Sequence, residues 1–287
     1  MWSTDPRSVG GPLAHPRSVT DGERMKVNHL NCGSLRPWGS PGGLVCHVLL
    51  VEAADGLVLV DSGFGLHDVA APAHRIGPAR HLIRPVLDPR ETAIRQVEKR
   101  GHDPADVRHV VLTHGDADHT GGLADFPHAR VHLTAAESEA MRRPLTRGER
   151  RRYLPGQREH GPDLVEHDPE HGDGWRGFAA AAEILPGVVL IGLSGHTRGH
   201  AAVAVDAGDR WVLHAGDAFY HRGQIENAGR PPRTLTTMEQ VVAHDRARVR
   251  DNHARLAELR AAADPGLLLV NAHDPELLRR AVADSPD

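Results

Sequence analysis

The chain has 287 residues, a formal net charge of −4 and only two cysteines. The length allows a sizeable core in one large domain. The small net charge argues against a surface that follows nucleic-acid phosphates. No apolar run reaches the ~20 residues that cross a bilayer, and two cysteines are too few for a disulfide framework or a thiolate metal cage. We therefore expect a cytoplasmic protein without nucleic-acid or membrane partners.

The predicted organisation is a polar, flexible N-terminal arm over residues 1–25 followed by a single domain over 26–287. The domain opens with a predicted hairpin, because the apolar runs LVCHVLLV and GLVLV flank Asp55-Gly56, a strong two-residue turn signal. The segment DPRETAIRQVEKRG then predicts an amphipathic helix with Asp88 as its N-cap and Gly101 as its stop. DVRHVVLTH predicts a strand, and ARVHLTAAESEAM predicts a strand that runs into a helix.

A long polar stretch from Met141 to Trp175 predicts a loop, within a polar insertion at about 141–178. Its arginines would either attract an anionic substrate, pair with nearby acids or face solvent, and the solvated arrangement is favoured. They are Arg142, Arg143, Arg147, Arg150, Arg151 and Arg152. Three further strands are predicted by GVVLIGLSGH, RWVLHAGD and GLLLVNAHD, with helices in parts of 238–263 and 275–283.

Histidines and aspartates follow four predicted strands at the point where each strand ends. They are His114, Asp116, Asp118 and His119 after the first, His196 and His200 after the second, His214 and Asp217 after the third, and His273 and Asp274 after the fourth. If these strand ends share one rim, imidazoles and carboxylates meet there without a cysteine. Such a rim suits zinc, iron or manganese, and its ligands can divide into two adjacent sets.

The ordered motifs resemble those of metallo-β-lactamase-fold hydrolases. They are Asp61 at the end of the hairpin, THGDADHTGG as a His-x-His-x-Asp-His signature with one change, SGHTRGH, HAGDAFY and NAHD, from about Val45 to Asp274. The resemblance implies an α/β fold, a four-layer αβ/βα sandwich of two mixed β-sheets flanked by helices. It also implies a dinuclear metal site at the edge of the sheets.

The resemblance also implies the ligands. His114, Asp116 and His196 would hold the first metal; Asp118, His119 and His273 would hold the second; and Asp217 would bridge them. Two divalent ions are implied, with zinc first and iron or manganese as alternatives. Asp116 departs from the motif, which normally has histidine there. A harder, anionic ligand should lower the Lewis acidity of the first metal and shift its preference towards iron, manganese or oxygen-rich zinc.

The implied function is hydrolysis of a small-molecule substrate, a lactone or other ester, by a metal-bridging hydroxide that attacks the carbonyl. Asp118 would be a ligand that also transfers the proton, as in family members, and a ligand-only role stays equally open. Tyr220 follows Asp217 by three residues, a spacing similar to that of a substrate-facing tyrosine in N-acyl-homoserine lactonases. A tyrosine that only packs at a strand end is the alternative.

Three other functions remain open at this point. One is a thioester hydrolase similar to glyoxalase II, and another is a mononuclear iron oxidoreductase similar to persulfide dioxygenases. The third is a metal-binding module that does not hydrolyse. The complete second set of ligands argues against the mononuclear enzyme. The oligomeric state is open, and a homodimer is one option.

The remaining polar residues are assigned structural roles. We expect Asp61 to hold the metal loop through hydrogen bonds, His200 to orient a neighbouring loop or ligand, and His214 to be structural. Six further histidines are placed on turns or solvent-facing positions, outside any metal site: His102, His109, His128, His132, His160 and His167.

Overall fold

The structure is a computed structural model that describes residues 25–40, 42–226 and 229–285. The predicted N-terminal arm lies outside the described residues except for Met25. The strands are β1 Lys26–Leu35, β2 Leu44–Ala53, β3 Gly56–Val60, β4 Val107–Val111, β5 Arg130–Thr134, β6 Asp163–His167, β7 Ala181–Leu185, β8 Val188–Gly192, β9 Ala201–Asp206, β10 Trp211–His214 and β11 Leu267–Val270.

The strands form two mixed sheets. One has the order β1-β2-β3-β4-β5-β6 and the other β11-β10-β9-β8-β7. In the first sheet β1, β2 and β3 pair antiparallel, whereas β3 to β6 run parallel. In the second sheet only β10 and β11 are parallel. The predicted hairpin of β2 and β3 is present, but its two turn residues are Ala54 and Asp55, and Gly56 is the first residue of β3.

Helices cover the outer faces of both sheets. The α-helices in the described ranges are α1 Leu66–Ala70, α2 Pro72–Arg75, α3 Arg80–Ile83, α4 Ala93–Lys99, α5 Ala117–Thr120, α6 Ala135–Arg142, α7 Arg147–Arg152, α8 Arg233–Val242, α9 Arg246–Ala261 and α10 Pro275–Asp284. Helices α4 and α6 pack on the first sheet through Val97 and Met141. Helices α9 and α10 pack on the second through Leu256 and Leu277.

The central core lies between the two sheets. On β2, Leu49 and Val51 point into this core, whereas Val48 and Leu50 face the helices. A strand that is buried on both faces needs apolar residues at every position, which explains the unbroken apolar run LVCHVLLV. The layers are therefore helix, sheet, sheet and helix, and the predicted four-layer αβ/βα sandwich is confirmed.

Two elements differ from the sequence predictions. The polar stretch after Met141 is not one long loop, because it contains α7 and β6, and β6 pairs with β5 as the edge strand of the first sheet. The helix expected from Asp88 is divided: Asp88 caps a short 3-10 turn, and α4 begins only at Ala93. The division has a local cause, since the Glu91 carboxylate accepts hydrogen bonds from the backbone N and Oγ of Ser34 on β1.

No helix within the described ranges is long and apolar enough to cross a membrane.

Candidate metal centre

The candidate residues converge at one edge of the sandwich because each follows the end of a strand. His114 lies just beyond β4, His196 in the connection between β8 and β9, Asp217 beyond β10 and His273 beyond β11. Asp116 directly precedes α5, which carries Asp118 and His119. The structure thus brings together all seven residues that the sequence predicts as metal ligands.

The first cluster consists of His114, Asp116, His196 and Asp217. Nε2 of His114 lies 3.3 Å from Asp116 Oδ2 and 3.8 Å from Asp217 Oδ2. Nε2 of His196 lies 3.1 Å and 3.4 Å from the same two oxygens. Ligand atoms on a tetrahedral ion with bonds of about 2.0–2.1 Å are about 3.3 Å apart, so these spacings fit one ion.

The second cluster consists of Asp118, His119 and His273, and Asp217 turns its other oxygen towards it. Oδ1 of Asp217 lies 3.3 Å from His119 Nε2 and 3.1 Å from His273 Nε2. The carboxylate of Asp118 is 3.9 Å from His119 and 3.6 Å from His273. Oδ2 of Asp217 faces the first cluster and also lies 3.2 Å from His273 Nε2, so the carboxylate lies between the two clusters, in the position of a bridging ligand.

Several ligand atoms in the two clusters have no hydrogen-bond partner. Among the described residues, His114 Nε2, Asp116 Oδ1, His119 Nε2 and Asp217 Oδ1 are buried and unpartnered. Buried polar atoms in proteins are nearly always satisfied, by protein, water or an ion. Imidazole nitrogens and carboxylate oxygens that converge in this way fit divalent cations, so the donor set suits the metals that the sequence implies.

The far side of three of the four candidate ligand imidazoles is held in place. Nδ1 of His119 lies 2.8 Å from Asp61 Oδ2, and Nδ1 of His273 lies 2.8 Å from the carbonyl oxygen of Val45. Thr113 Oγ1 lies 3.0 Å from Nδ1 of His114. These contacts direct Nε2 of each ring towards the clusters, as outer partners of metal-binding histidines do.

Asp61 and His200 hold the backbone of the site loops. Asp61 accepts hydrogen bonds from the backbone N and Oγ1 of Thr113, both at 2.8 Å, which fixes the turn that leads into the His114 loop. The backbone N of Asp217 donates to His200 Nε2 at 2.9 Å. His214 makes contacts of structural type, with Nε2 lying 2.8 Å from the carbonyl oxygen of His47.

The charges of the centre shift the pKa values of its members. Burial would raise the pKa of Asp217, but the facing imidazoles, His273 first, hold it well below its usual range. Burial would lower the pKa of His273, but the carboxylates of Asp217 and Asp118 raise it to about 9. The carboxylates therefore draw positive charge into the second cluster, and a divalent ion is the kind of group that supplies it.

Tyr220 lies against both clusters. Its hydroxyl is 3.5 Å from His196 Nδ1, and its ring packs edge-on against His273 with centroids 5.3 Å apart. It also lines a cavity of about 330 Å³ together with Leu44 and Leu235. The phenol thus stands between the candidate metal ligands and a partly apolar cavity.

Arg152 is not solvated, so the prediction that the arginines of the polar stretch face solvent is wrong for this residue. Its Nη1 donates to Asp116 Oδ2 at 2.6 Å and lies 2.9 Å from His196 Nε2. The side chain is only 15% exposed. For Arg142 the structure shows the alternative of pairing with a nearby acid, because Nη1 lies 2.7 Å from Glu166 Oε1 on the surface. No sequence signal separates Arg152 from its neighbours when the whole stretch is interpreted as a loop.

Glu137 is a buried residue of the site that the sequence analysis missed. Its carboxylate accepts hydrogen bonds from Gly115 N at 2.8 Å, Tyr153 Oη at 2.9 Å and Thr197 Oγ1 at 2.8 Å. It also accepts from Gly199 N, where a Cβ would lie 2.0 Å from the Glu137 backbone nitrogen. Glu137 therefore ties three loops of the site together. The only sequence signal was Thr134, three residues earlier, which suggests a helix cap.

Three of the histidines predicted to be on turns or facing solvent lie instead on neighbouring strands. His109 on β4, His132 on β5 and His167 on β6 form a histidine ladder, with nitrogen-to-nitrogen distances of 2.9 Å at both steps. His132 is 2% exposed. The correction has a physical reason: each pair satisfies its own ring nitrogens across the sheet, so burial is tolerated. None of the three belongs to either cluster.

Comparison with known proteins identifies the family. A family model described as the metallo-beta-lactamase superfamily matches residues 41–273, and the chain belongs to this superfamily. A probable metallo-hydrolase of Mycobacterium tuberculosis is 54% identical over 264 residues, which cover 91% of this chain and 84% of that protein. The chain is thus a metallo-hydrolase of the superfamily, and the recognition made from its motifs is confirmed.

Other similarities point to lactonases. The N-acyl homoserine lactonase AttM of Rhizobium johnstonii is 36% identical over 90 residues, or 31% of this chain and 34% of that protein. A crystal structure of a B. thuringiensis AiiA variant with N-decanoyl-L-homoserine at its active site has a TM-score of 0.68 at 19% identity, and the match covers 90% of this chain and 96% of that one. AidC, described as a dizinc quorum-quenching lactonase, has a TM-score of 0.56 at 16% identity over 81% of this chain and 74% of that one. At these identities the two structures show a shared fold.

Proposed function

We propose that the protein is a dinuclear metal-dependent hydrolase that opens lactones or cleaves related esters. The observation that carries this proposal is the position of Asp217, whose carboxylate lies between the clusters, with Oδ2 3.4 Å from His196 Nε2 and Oδ1 3.3 Å from His119 Nε2. Divalent ions held there would polarise a carbonyl and activate a water molecule as the nucleophile. The first cluster would hold one ion through His114, Asp116 and His196, and the second would hold the other through Asp118, His119 and His273.

Asp118 is the member of the second cluster best placed to exchange a proton. Its carboxylate is the most loosely spaced in the cluster, at 3.9 Å and 3.6 Å from the two imidazoles. Its side chain is 12% exposed, compared with 2% for His119 and 4% for His273. A carboxylate that binds an ion on one side and reaches the substrate on the other can carry the proton to the leaving group.

Tyr220 is proposed to donate a hydrogen bond to the substrate carbonyl. Its hydroxyl lies beside His196, and the ring forms a wall of the cavity that Leu44 and Leu235 also line. None of the candidate ligands lines the cavity, whereas charged side chains also do, those of Arg222, Glu276 and Arg279. The proposal for Tyr220 therefore rests on its hydroxyl beside His196. A fixed donor at this point stabilises the negative charge that develops on the oxygen.

The comparisons support the choice of substrate class. The similarity to the lactonase AttM is 36% identity over 90 residues, and two structural neighbours are described with an acyl-homoserine bound. The 54% identical relative is described only as a probable metallo-hydrolase. Lactone opening is therefore the most specific activity that the relatives support, and simple esters follow from the same chemistry.

The test is a substrate panel. Proton release from N-acyl-homoserine lactones and thiol release from acyl thioesters are measured with zinc-loaded protein, and oxygen uptake with glutathione persulfide is measured with iron-loaded protein, because zinc has no redox chemistry. We expect proton release from lactones, and a fall of about 10²- to 10³-fold in kcat for Tyr220→Phe, because one transition-state hydrogen bond is lost. Thiol release without lactone opening would favour the glyoxalase II-like alternative. Oxygen uptake with a single iron would favour the oxidoreductase.

A further inference from the structure

A buried cation lies against only one of the two clusters. Arg152 contacts Asp116 and His196 through Nη1, and its Nη2 donates to the carbonyl oxygen of Val242 at 2.6 Å. In the part of the chain that the structure describes, the ion pairs of Asp118 and Asp217 are with histidines alone. The guanidinium is therefore a feature of the first cluster, where Asp116 is the added carboxylate.

The protein is built to keep Arg152 in this place. It is the last residue of α7, whose first turn is capped reciprocally by Thr146 and Glu149. The next residue, Tyr153, donates its hydroxyl to Glu137, which also accepts from the backbone N of Gly115. The same carboxylate thus anchors the end of α7 and the loop that carries Asp116. Arg152 and Asp116 are positioned by one common support.

The charges explain why such a residue is needed. The two clusters contain three carboxylates, those of Asp116, Asp118 and Asp217, whereas the motif with histidine at position 116 would have two. One guanidinium offsets the additional negative charge. It does so by direct contact, because Nη1 of Arg152 donates to Asp116 Oδ2 at 2.6 Å. The other carboxylate oxygen, Oδ1, remains without a hydrogen bond among the described residues.

We propose that Arg152 is the positioning residue that lets the first cluster use a carboxylate: it fixes Asp116 and returns the ligand set to the net charge of the histidine form. Asp116 and Arg152 thus act as one unit that replaces a single neutral histidine. This inference rests on the proposed metal centre, not on the substrate. A surface arginine that merely packs on the site would not depend on the identity of residue 116.

The test is a double-mutant cycle read by metal binding. Zinc affinity of the weaker equivalent is measured by competition with a chromophoric chelator for the wild type, Asp116→His, Arg152→Gln and the double variant. With histidine at position 116 the guanidinium loses its carboxylate partner and repels the ion, so we expect affinity to fall about tenfold or more. The double variant should return to within about threefold of the wild type.

On the natural Asp116 background, Arg152→Gln should change affinity much less. Loss of the cation removes a repulsion but also frees the carboxylate from its fixed position, and the two effects oppose each other. Arg151→Gln is the matched control, because Arg151 is the exposed neighbour on the same helix. Asp116→His/Arg152→Lys separates charge from shape: it keeps the cation and should remain as weak as Asp116→His.

The proposal is overturned if Arg152→Gln changes zinc affinity by the same factor in the wild type and in the Asp116→His variant. It is also overturned if Asp116→His alone binds both ions as the wild type does. If Asp116→His fails to fold, folding of the double variant supports the pair, and failure of both contradicts it. If the wild type binds two ions but opens no lactone, the proposed substrate is contradicted. The double-mutant cycle still tests this inference, because it measures zinc affinity and not lactone turnover.

Discussion

The histidine ladder and the candidate metal centre are two groups of closely spaced histidines that differ in the partners of their ring nitrogens. In the histidine ladder, His109, His132 and His167 contact one another at 2.9 Å. In the candidate centre the imidazoles face carboxylates, and Nε2 of His114 and of His119 has no hydrogen-bond partner within the described ranges. The ring nitrogens of the ladder contact one another and are not available to a ligand. In the centre, the lone pairs of these two Nε2 atoms point into the clusters and have no partner.

This difference shows that proximity of histidines does not define a metal site. Burial and the positive charge of its neighbours lower the pKa of His132 to about 4, so the ladder is neutral at physiological pH. In the second cluster carboxylates raise the pKa of His273 to about 9. The centre attracts positive charge and the ladder repels it. The centre differs from the ladder because aspartates face its imidazoles and because residues such as Asp61 hold the far side of the rings.

The largest expected effect is from Asp217→Asn. The neutral amide cannot bridge two cations, so we expect at most one bound ion and a fall in lactone kcat/KM of at least about 10³-fold, or about 4 kcal/mol. Metal content and turnover measure it, with Asp209→Asn on the exposed surface as the control. Full activity with two bound ions would show that Asp217 does not bridge.

A smaller effect is expected from Asp61→Asn, which weakens the partner behind His119 without touching the ion. Loss of such a partner typically costs about 10- to 100-fold in metal affinity. Chelator competition should show one equivalent, that of the second cluster, released more easily than in the wild type. Unchanged affinity of both equivalents would mean that the 2.8 Å contact between Asp61 and His119 does not orient the ring.

The histidine ladder should affect how the free energy of unfolding depends on pH. The folded-state pKa of His132 is about 4, below the ordinary value of 6.5, so the unfolded chain binds the proton first. The stability that neutral His132 contributes to the folded state is complete above pH 6.5 and is lost as the pH falls towards 4. The free energy of unfolding should fall by about 2 kcal/mol between pH 8 and pH 5 for this reason. Urea unfolding of chelator-treated wild type and His132→Gln should show a smaller loss in the variant. Equal losses would contradict the buried, neutral ladder.

The smallest expected effect is from His109→Gln on metal binding. Because the ladder contributes no ligand, the variant should bind as much metal as the wild type and open lactones at a similar rate. Metal content and lactone turnover are the measurements. A lost equivalent of metal would mean that the two histidine groups are not separate.

Local patterns predict the strands and the convergence of His and Asp at one edge, whereas the four-layer fold and the seven candidate ligands come from the resemblance of the ordered motifs to metallo-β-lactamase-fold hydrolases. Apolar runs predict the strands, and His or Asp after each strand end is brought to one edge by the sandwich. Arg152 and Glu137 were not predictable in the same way. Each reaches the site from a helix outside the motifs, and Arg152 comes from a stretch that predicts a polar loop. Long side chains that cross between elements leave no periodic signal.

The histidine ladder was missed for a related reason. His109, His132 and His167 each interrupt a strand pattern, and a single histidine on a strand is consistent with a solvent-facing position. Only the parallel register of β4, β5 and β6 brings the three side chains into one row. That register is set by tertiary packing, so a single sequence does not specify the contact.

The most direct measurement is the metal content per chain, by mass spectrometry of protein purified without chelator or immobilised-metal resin. Two equivalents of zinc, manganese or iron are expected, falling to one or fewer in Asp217→Asn. A single equivalent in the wild type, unchanged by Asp217→Asn, would contradict a centre in which two clusters share one carboxylate.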